Sequence, residues 1–362
     1  MAFPRDFSLP AVRRGWSRDL RGPLDETRFD ELARELFAWQ FARVPAFRRL
    51  CEGHDVSPRK LDSWHAIPAM PQQVFKRAKL FAHGNKRPAA IYETSGTTAG
   101  EPGRQYLLQT DVYEAMSVEG ARREGFLDGA ADFHFVTPSP EENPRSSLSA
   151  MFGYWGGAAS KNKPCFWVRK GNFELAGLRA GLENSVRKKR PVALCGTAFG
   201  FVHLLDTWKS PMRLPRGSRL LETGGFKGRT REVPKAELYR ELGRMFGLDD
   251  ADIWNEYGMS ELSSQAYARG VHGLHRTPPW ARVLVIDPAT GREVRVGQTG
   301  LVRWIDLANV DSVMALQTLD RAERRPDGFL LLGRLARTEP RGCSLSAEDL
   351  LASNPSAKKG TR

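Results

Sequence analysis

A layered α/β fold with a small antiparallel β subdomain is what this sequence predicts, and three observations predict it. From Pro88 to about Gly273, short apolar runs such as Phe133-His134-Phe135-Val136, Val192-Ala193-Leu194-Cys195 and Ile253-Trp254-Asn255 alternate with helical patterns. From Pro278 to Arg334 the pattern changes to strands and tight turns: Ala281–Ile286, the Asp287-Pro288-Ala289-Thr290-Gly291 turn, Gly297-Gln298-Thr299-Gly300, then Leu301–Ile305. Between them in character stands the run from Tyr92 to Arg104, hydroxyl side chains threaded through glycines directly after the strand-like Ala89–Tyr92. In order along the chain, 1–85 reads as mainly helical, 86–275 as the α/β core, 276–334 as the β subdomain and 335–362 as a short C-terminal remnant, frayed after Asn354. Within the first part Asp25–Arg43 carries Phe29, Leu32, Leu36, Trp39 and Phe41 at near-helical spacing, so one face packs on the body. Pro58, Pro68 and Pro71 then punctuate the approach to the core.

The 362 residues are 41% hydrophobic and 10% aromatic, the balance of a soluble globular protein with a large core. No apolar stretch approaches the roughly 20 residues that span a bilayer, and Met1–Asp6 lacks a signal-peptide core, so the expectation is a cytoplasmic protein without a membrane span. The four cysteines, Cys51, Cys165, Cys195 and Cys343, form no CxxC pair and indicate neither a zinc knuckle nor a disulfide framework. The net charge of +13 suits an acidic ligand. Its basic residues are scattered, however, and the runs Arg187–Arg190 and Lys358–Arg362 lack interleaved aromatics, so no nucleic-acid partner is expected.

The 92–104 run can wrap an anion. Its glycines let backbone N–H groups turn inward, and Ser95, Thr97 and Thr98 add hydroxyl donors for phosphate oxygens; taken alone it is equally a polar turn between strands. Downstream, Asn255-Glu256-Tyr257-Gly258-Met259-Ser260-Glu261 places an aromatic, a glycine and two carboxylates where a strand turns into a loop. His272 and His275 have metal-like spacing but no third ligand. No G-x-S-x-G elbow, G-x-G-x-x-G or Walker lysine is present, which argues against a hydrolase, a dinucleotide enzyme and a P-loop ATPase.

Together with Glu222-Thr223-Gly224-Gly225-Phe226-Lys227-Gly228-Arg229, Thr318-Leu319-Asp320 and Gly333-Arg334, these segments resemble, in order and spacing, the adenylate-forming superfamily of acyl and aryl ligases. Ile67–Lys76, Thr137-Pro138-Ser139-Pro140, Ser146-Ser147-Leu148, Gly224–Lys227 and Arg341–Leu345 narrow the resemblance to the LuxE-type acyl-protein synthetases, the acyl-activating subunits of bacterial fatty acid reductase systems. It runs from about residue 60 to 345.

The resemblance implies the large N-terminal domain of an adenylate-forming enzyme with a truncated C-terminal lid, since the chain runs only 28 residues beyond Arg334. It implies ATP and Mg²⁺ as cofactors, a carboxylic acid (a fatty acid) as substrate, and a reductase or carrier protein as acyl acceptor. Thr94, Ser95, Gly96, Thr97 and Thr98 would hold the phosphates, with Arg104 in place of the family's lysine as nearest cation. Gly224, Gly225 and Phe226 would border the adenine, Tyr257 and Gly258 would lie against it, Asp320 would take the ribose hydroxyls, and Arg334 would be the hinge arginine. Glu261 would bind Mg²⁺, while Gly196, Thr197 and Phe199 would line the acid pocket by analogy. Lys227 or a partner would replace the missing lid lysine, and Cys343 would take the acyl group as a thioester. Two alternatives remain open: transfer to coenzyme A, a carrier protein or an amine, and a non-catalytic nucleotide-binding subunit.

Overall fold

The computed structural model describes residues 10–94, 101–159, 163–208, 210–224 and 233–335. Three helices come first, α1 (Pro10–Arg21), α2 (Glu26–Arg43) and α3 (Pro45–Gly53). The Asp25 carboxylate caps α2 by accepting from the Arg28 N–H at 2.8 Å, and Pro45 opens α3 where no N–H is needed. Helix α2 buries Phe29, Leu32, Leu36, Phe37 and Trp39, the face its spacing predicts, with Phe41 only half-buried at its margin.

Beyond these lie helices α4 (Asp111–Arg123), α5 (Ser147–Ala159), α6 (Leu175–Arg187), α7 (Ala198–Thr207) and α8 (Lys235–Phe246). The strands are β1 (Met70–Pro71), β2 (Ala90–Glu93), β3 (Arg104–Leu107), β4 (Asp132–Val136), β5 (Cys165–Phe166), β6 (Val168–Arg169), β7 (Asn172–Phe173), β8 (Val192–Thr197), β9 (Arg219–Thr223), β10 (Ile253–Tyr257), β11 (Ala266–Arg269), β12 (Ala281–Ile286), β13 (Thr299–Asp306), β14 (Ala315–Arg325) and β15 (Gly328–Arg334).

A six-stranded sheet in the order β11-β10-β9-β8-β4-β5 forms the centre; its strands are parallel except β11, which runs antiparallel to β10. Both faces are covered, as a parallel sheet requires. Side-chain alternation sends Phe133, Phe135, Cys195, Leu221 and Trp254 to the face packed with Ala121, Phe152 and Trp155 of α4 and α5. The other face, with Leu194, Leu220 and Ile253, packs on Leu178, Phe201, Leu238 and Leu242 of α6, α7 and α8. The second sheet, β1-β14-β13-β12 with β15 on β14, is antiparallel apart from the short parallel β1–β14 pair.

The N-terminal helices and this second sheet share one core: Trp16, Phe29, Phe37 and Phe47 are fully buried in the same cluster as Trp304, Ile305, Leu316 and Ala322. Each phenylalanine or leucine so buried contributes about 2–3 kcal/mol by area. A buried polar knot fixes the orientation. Arg13 donates to Asp111 at 2.9 Å and to Asp311 at 2.6 Å, while Asp311 also meets His83 at 2.7 Å and accepts the Leu108 N–H at 2.9 Å. Asp311→Ala would leave the Arg13 guanidinium buried opposite a cavity, so we expect a loss of about 3–5 kcal/mol in urea unfolding. A loss below about 1 kcal/mol would mean that apolar packing alone docks α1.

Candidate functional site

The parallel strands β4, β8, β9 and β10 direct their carboxyl ends to one edge, the place where open α/β sheets bind ligands. Beside that edge stands the β2–β3 hairpin. Its connection is pinched at the neck: the Thr94 N–H donates to Gly103 O, and the Gly103 N–H donates to Thr94 Oγ1, each at 2.9 Å. A Cβ at Gly103 would come within 3.1 Å of Thr94 Cγ2, so glycine permits the closure. The Thr94 hydroxyl is thus committed to the loop's own backbone. Ser95, Gly96, Thr97 and Thr98 lie outside the described residues, as do Gly225, Phe226, Lys227 and Cys343.

Glu93 draws two arginines to the neck: Arg104 Nε at 3.1 Å and Arg145 at 2.6 Å, with Arg104 also donating to Glu101 at 2.8 Å. Arg104 therefore stands at the neck of this connection as part of an ion-pair cluster. Arg145 is an additional cation there that no motif marked. The hydroxyl of Ser260 donates to the Glu93 carbonyl at 3.1 Å and ties this hairpin to the 255–261 segment.

That segment is strand β10 and the loop after it. Tyr257 is buried, its ring centroid 5.8 to 6.0 Å from those of Trp304, His275 and Phe329. Its hydroxyl donates to Asp320 Oδ2 at 2.8 Å. Gly258 admits no side chain, because a Cβ there would run into the Glu256 carboxylate. Asp320 faces Arg334 across the β14–β15 pair, with Arg334 Nε 3.7 Å from Asp320 Oδ1. Burial raises the Asp320 carboxyl, while the Arg334 charge and the Tyr257 hydroxyl lower it.

Arg334 also donates to Gln72 Oε1 at 2.7 Å, and Gln72 Nε2 donates to Glu261 Oε1 at 3.1 Å. Tyr257, Asp320, Arg334, Gln72 and Glu261 thereby form one continuous polar chain. Gln72 is the link that single-residue reading missed, although it lies within the 67–76 segment that carried the resemblance. Glu261 is 2% exposed, and its Oε2 is buried without a hydrogen-bond partner among the described residues. Burial raises its carboxyl, offset in part by Gln72. An orphaned carboxylate oxygen at such a place fits a hard cation. No cluster of three or more His, Cys, Asp or Glu that could hold a metal exists among the described residues, so an ion here would rely on Glu261 and on ligand oxygens.

Gly224 ends β9 at φ 71°, the left-handed region that glycine tolerates. Gly196 closes β8, where a Cβ would press on Val136 at 3.0 Å. The Thr197 hydroxyl accepts from the Gly200 N–H at 3.1 Å and caps α7, a structural use of a side chain expected in the acid pocket; Phe199 is half-buried in the first turn of that helix.

No family model matches the sequence. Over most of its length the chain is similar to two long-chain-fatty-acid–luciferin-component ligases. One, from Aliivibrio fischeri, is 23% identical over 345 residues, covering 90% of this chain and 89% of that protein. The other, from Vibrio harveyi, is 21% identical over 365 residues, covering 96% and 90%. Among solved structures, a 2-hydroxyisobutyryl-CoA ligase superposes in its open conformation with a TM-score of 0.63 at 17% identity, over 88% of this chain and 76% of that one. In its thioesterification state the TM-score is 0.64 at 17% identity, over 92% and 71%. The fold is that of the adenylate-forming ligases. Its sequence likeness, at 23% and 21% identity, is to ligases of the LuxE type that the motifs resemble.

Behind this edge a second buried network holds Asn255. Its Nδ2 donates to Glu222 Oε2 at 2.6 Å, which leaves Oδ1 to accept from His275 Nε2 at 2.8 Å. His275 is accordingly neutral, burial pushing its pKa down to about 3. Burial pushes the Glu222 carboxyl up to about 7, against the opposing pull of Lys235, Tyr239 and Asn255. A carboxyl with a raised pKa binds its proton more tightly in the folded state, so its stabilising effect is complete at low pH and is lost as pH rises towards 7. Glu222→Gln should therefore flatten the decline in stability between about pH 5 and pH 7, followed by urea midpoints; an unchanged pH slope would mean that Glu222 is ionised throughout.

Proposed function

We propose that this protein activates a carboxylic acid with Mg·ATP and passes the acyl group to a thiol. A carboxylate oxygen of the acid attacks the α-phosphorus, the bond to the β-phosphate oxygen breaks, and acyl-AMP and pyrophosphate result. A thiolate then attacks the acyl carbon and AMP leaves, giving a thioester. The polar chain from Tyr257 to Glu261 is the observation that carries this reading. It joins the Tyr257 ring at the carboxyl end of β10, the Asp320 carboxylate and Arg334 guanidinium of the β14–β15 pair, and the Glu261 carboxylate.

In this reading Tyr257, Gly258 and Gly224 border the adenine, Asp320 takes the ribose hydroxyls, and Arg334 faces ribose and phosphate. Glu261 would hold Mg²⁺, whose charge would offset the meeting of two anions. Thr94 to Thr98 with Arg104 form the phosphate loop, and Gly196, Thr197 and Phe199 border the acid. Lys227 or a partner supplies a cation to the α-phosphate, and Cys343 takes the acyl group for a reductase or carrier. The relatives' names favour a long-chain fatty acid. No helix among the described residues is long and apolar enough to cross a membrane, and we place the reaction in the cytoplasm.

Glu261→Gln keeps the hydrogen bond to Gln72 but loses the charge, and should lower acid-dependent pyrophosphate release about tenfold or more at fixed Mg²⁺. Full turnover would remove the metal from Glu261. With labelled acid and Mg·ATP, wild-type protein should acquire a label that neutral hydroxylamine removes. Cys343→Ser should abolish this thioester while acyl-AMP still forms, because the first step needs no thiol. Label retained on the variant would move the acceptor to another cysteine; label found only on coenzyme A would replace self-acylation with ligase chemistry.

A further inference from the structure

Gln72 sits between two opposite charges that would otherwise meet. It opens the short turn Gln72–Lys76 directly after β1, and the buried side chains of Val74 and Phe75 root that turn in the core shared by the N-terminal helices and the second sheet. Strand β1 lies parallel to β14 with Pro71 opposite Gln317, so Gln72 stands beside the strand that carries Asp320 a little further along. From there one amide reaches both ways: its Oε1 accepts from Arg334 at 2.7 Å, and its Nε2 donates to Glu261 Oε1 at 3.1 Å. The neighbours fix the amide's orientation, since a guanidinium can only donate and an ionised carboxylate can only accept.

The two groups that it separates are unequal. Glu261 is buried, whereas the Arg334 side chain is exposed and, apart from Gln72, faces only Asp320 among the described residues, at 3.7 Å. Both touch the same amide, so no more than the width of Gln72 keeps the guanidinium from the buried carboxylate. Attraction between opposite charges strengthens as the dielectric falls, and an arginine–carboxylate pair can gain two parallel hydrogen bonds. Without the amide, Arg334 would fork onto Glu261 and cover Oε2, the oxygen that has no partner among the described residues. Glutamine is the residue type that prevents this. Glutamate would repel Glu261, lysine would neutralise it directly, and asparagine is one methylene shorter; methionine has the length but can neither donate to the carboxylate nor hold the guanidinium firmly.

We propose that Gln72 is a positioning residue that keeps Arg334 off Glu261, and so leaves the second Glu261 oxygen open to a divalent cation. This rests on the adenylation reading and adds to it the device by which a buried acid with an arginine close by still serves a metal. Held at a distance by the amide, Arg334 keeps its place beside Asp320, on the ribose and phosphate side in that reading. A neutral group that accepts at one end and donates at the other thus sorts a cation and an anion into separate tasks.

Binding of manganese, a paramagnetic stand-in for magnesium, reads the site without turnover: the full chain is titrated with it at a saturating concentration of a non-hydrolysable ATP analogue, and the protein-bound ion is followed by electron paramagnetic resonance. Gln72→Met should weaken that binding about tenfold or more, as Arg334 closes on Glu261. In protein already carrying Arg334→Gln, adding Gln72→Met should change it by less than about threefold, because no guanidinium is left to intrude. Gln72→Lys neutralises Glu261 by itself and should weaken binding about tenfold in both backgrounds, which keeps the test decisive should Gln72→Met not fold. Unchanged affinity in either variant overturns the proposal, and so does an equal loss from Gln72→Met in both backgrounds, the mark of a merely structural role. In each of these cases the wild-type complex with manganese and nucleotide leaves the adenylation reading standing. Wild-type protein that binds no manganese with the analogue overturns that reading and this proposal with it.

Discussion

Asn309 is the side chain on which the geometry of the site hangs. It is wholly buried, and all its polar groups are used: Nδ2 donates to the carbonyls of Glu261 at 2.8 Å and Val313 at 2.9 Å, Oδ1 accepts from Gln105, and its own carbonyl accepts from Gln40 at 2.7 Å. Gln40 completes the clasp by accepting the Met314 N–H at 2.8 Å. One amide thus joins α2, β3, the loop before β14 and the backbone of Glu261. With every polar group of Asn309 matched, displacing any one of these parts would leave a buried donor or acceptor of Asn309 unpaired. Asp306 reinforces it, accepting from Ser263, Ser264 and Ala308 and anchoring the turn that follows Glu261. A carboxylate with an unpaired buried oxygen can persist only where its backbone is held this firmly.

Strand β10 then divides the labour by alternation. Tyr257 enters the core shared by the N-terminal helices and the second sheet, Asn255 turns to the α6–α8 side, where Glu222 fixes its amide, and Glu256 turns to the α4–α5 side. Three neighbouring residues serve three different environments. The period of two puts Asn255 and Tyr257 on one face and Glu256 on the other, and Tyr257, further along, reaches Trp304 of the second sheet.

Legibility in the sequence followed the range of the interactions. Helix α2, strands β4, β8 and β10 and the β12–β13 pair could be read from periodicity, since each pattern is local. Motif order pointed to Tyr257, Glu261, Asp320 and Arg334 as residues of one site, but not to the contacts among them. Gln72 was harder: it bridges Glu261 and Arg334 across 189 and 262 residues, and its role is visible only once β1 is laid beside β14. The resemblance assigned Thr94 and Thr197 to ligands; in the structure their hydroxyls close a loop neck and cap a helix, local uses to which threonine is suited. Arg145 had no signal at all, because an arginine in a proline-rich loop reads as surface until Glu93 is found beside it.

The charge of the site is set by pairing rather than by the net +13. At the loop neck Arg104 and Arg145 face Glu93 and Glu101, so the described cluster carries two positive and two negative groups and attracts no anion by excess charge. Arg334 is likewise shared with Asp320. Two anions brought together here, as the proposed function requires, would meet no unpaired cationic side chain among the described residues of this ring, but they would meet Glu261, itself an acid. Repulsion among these groups falls only if a cation sits between them, and the unpaired Glu261 oxygen marks where it would do so. Under the proposed function a divalent ion would serve first to let the anions share the site, and would lower the barrier to their reaction second.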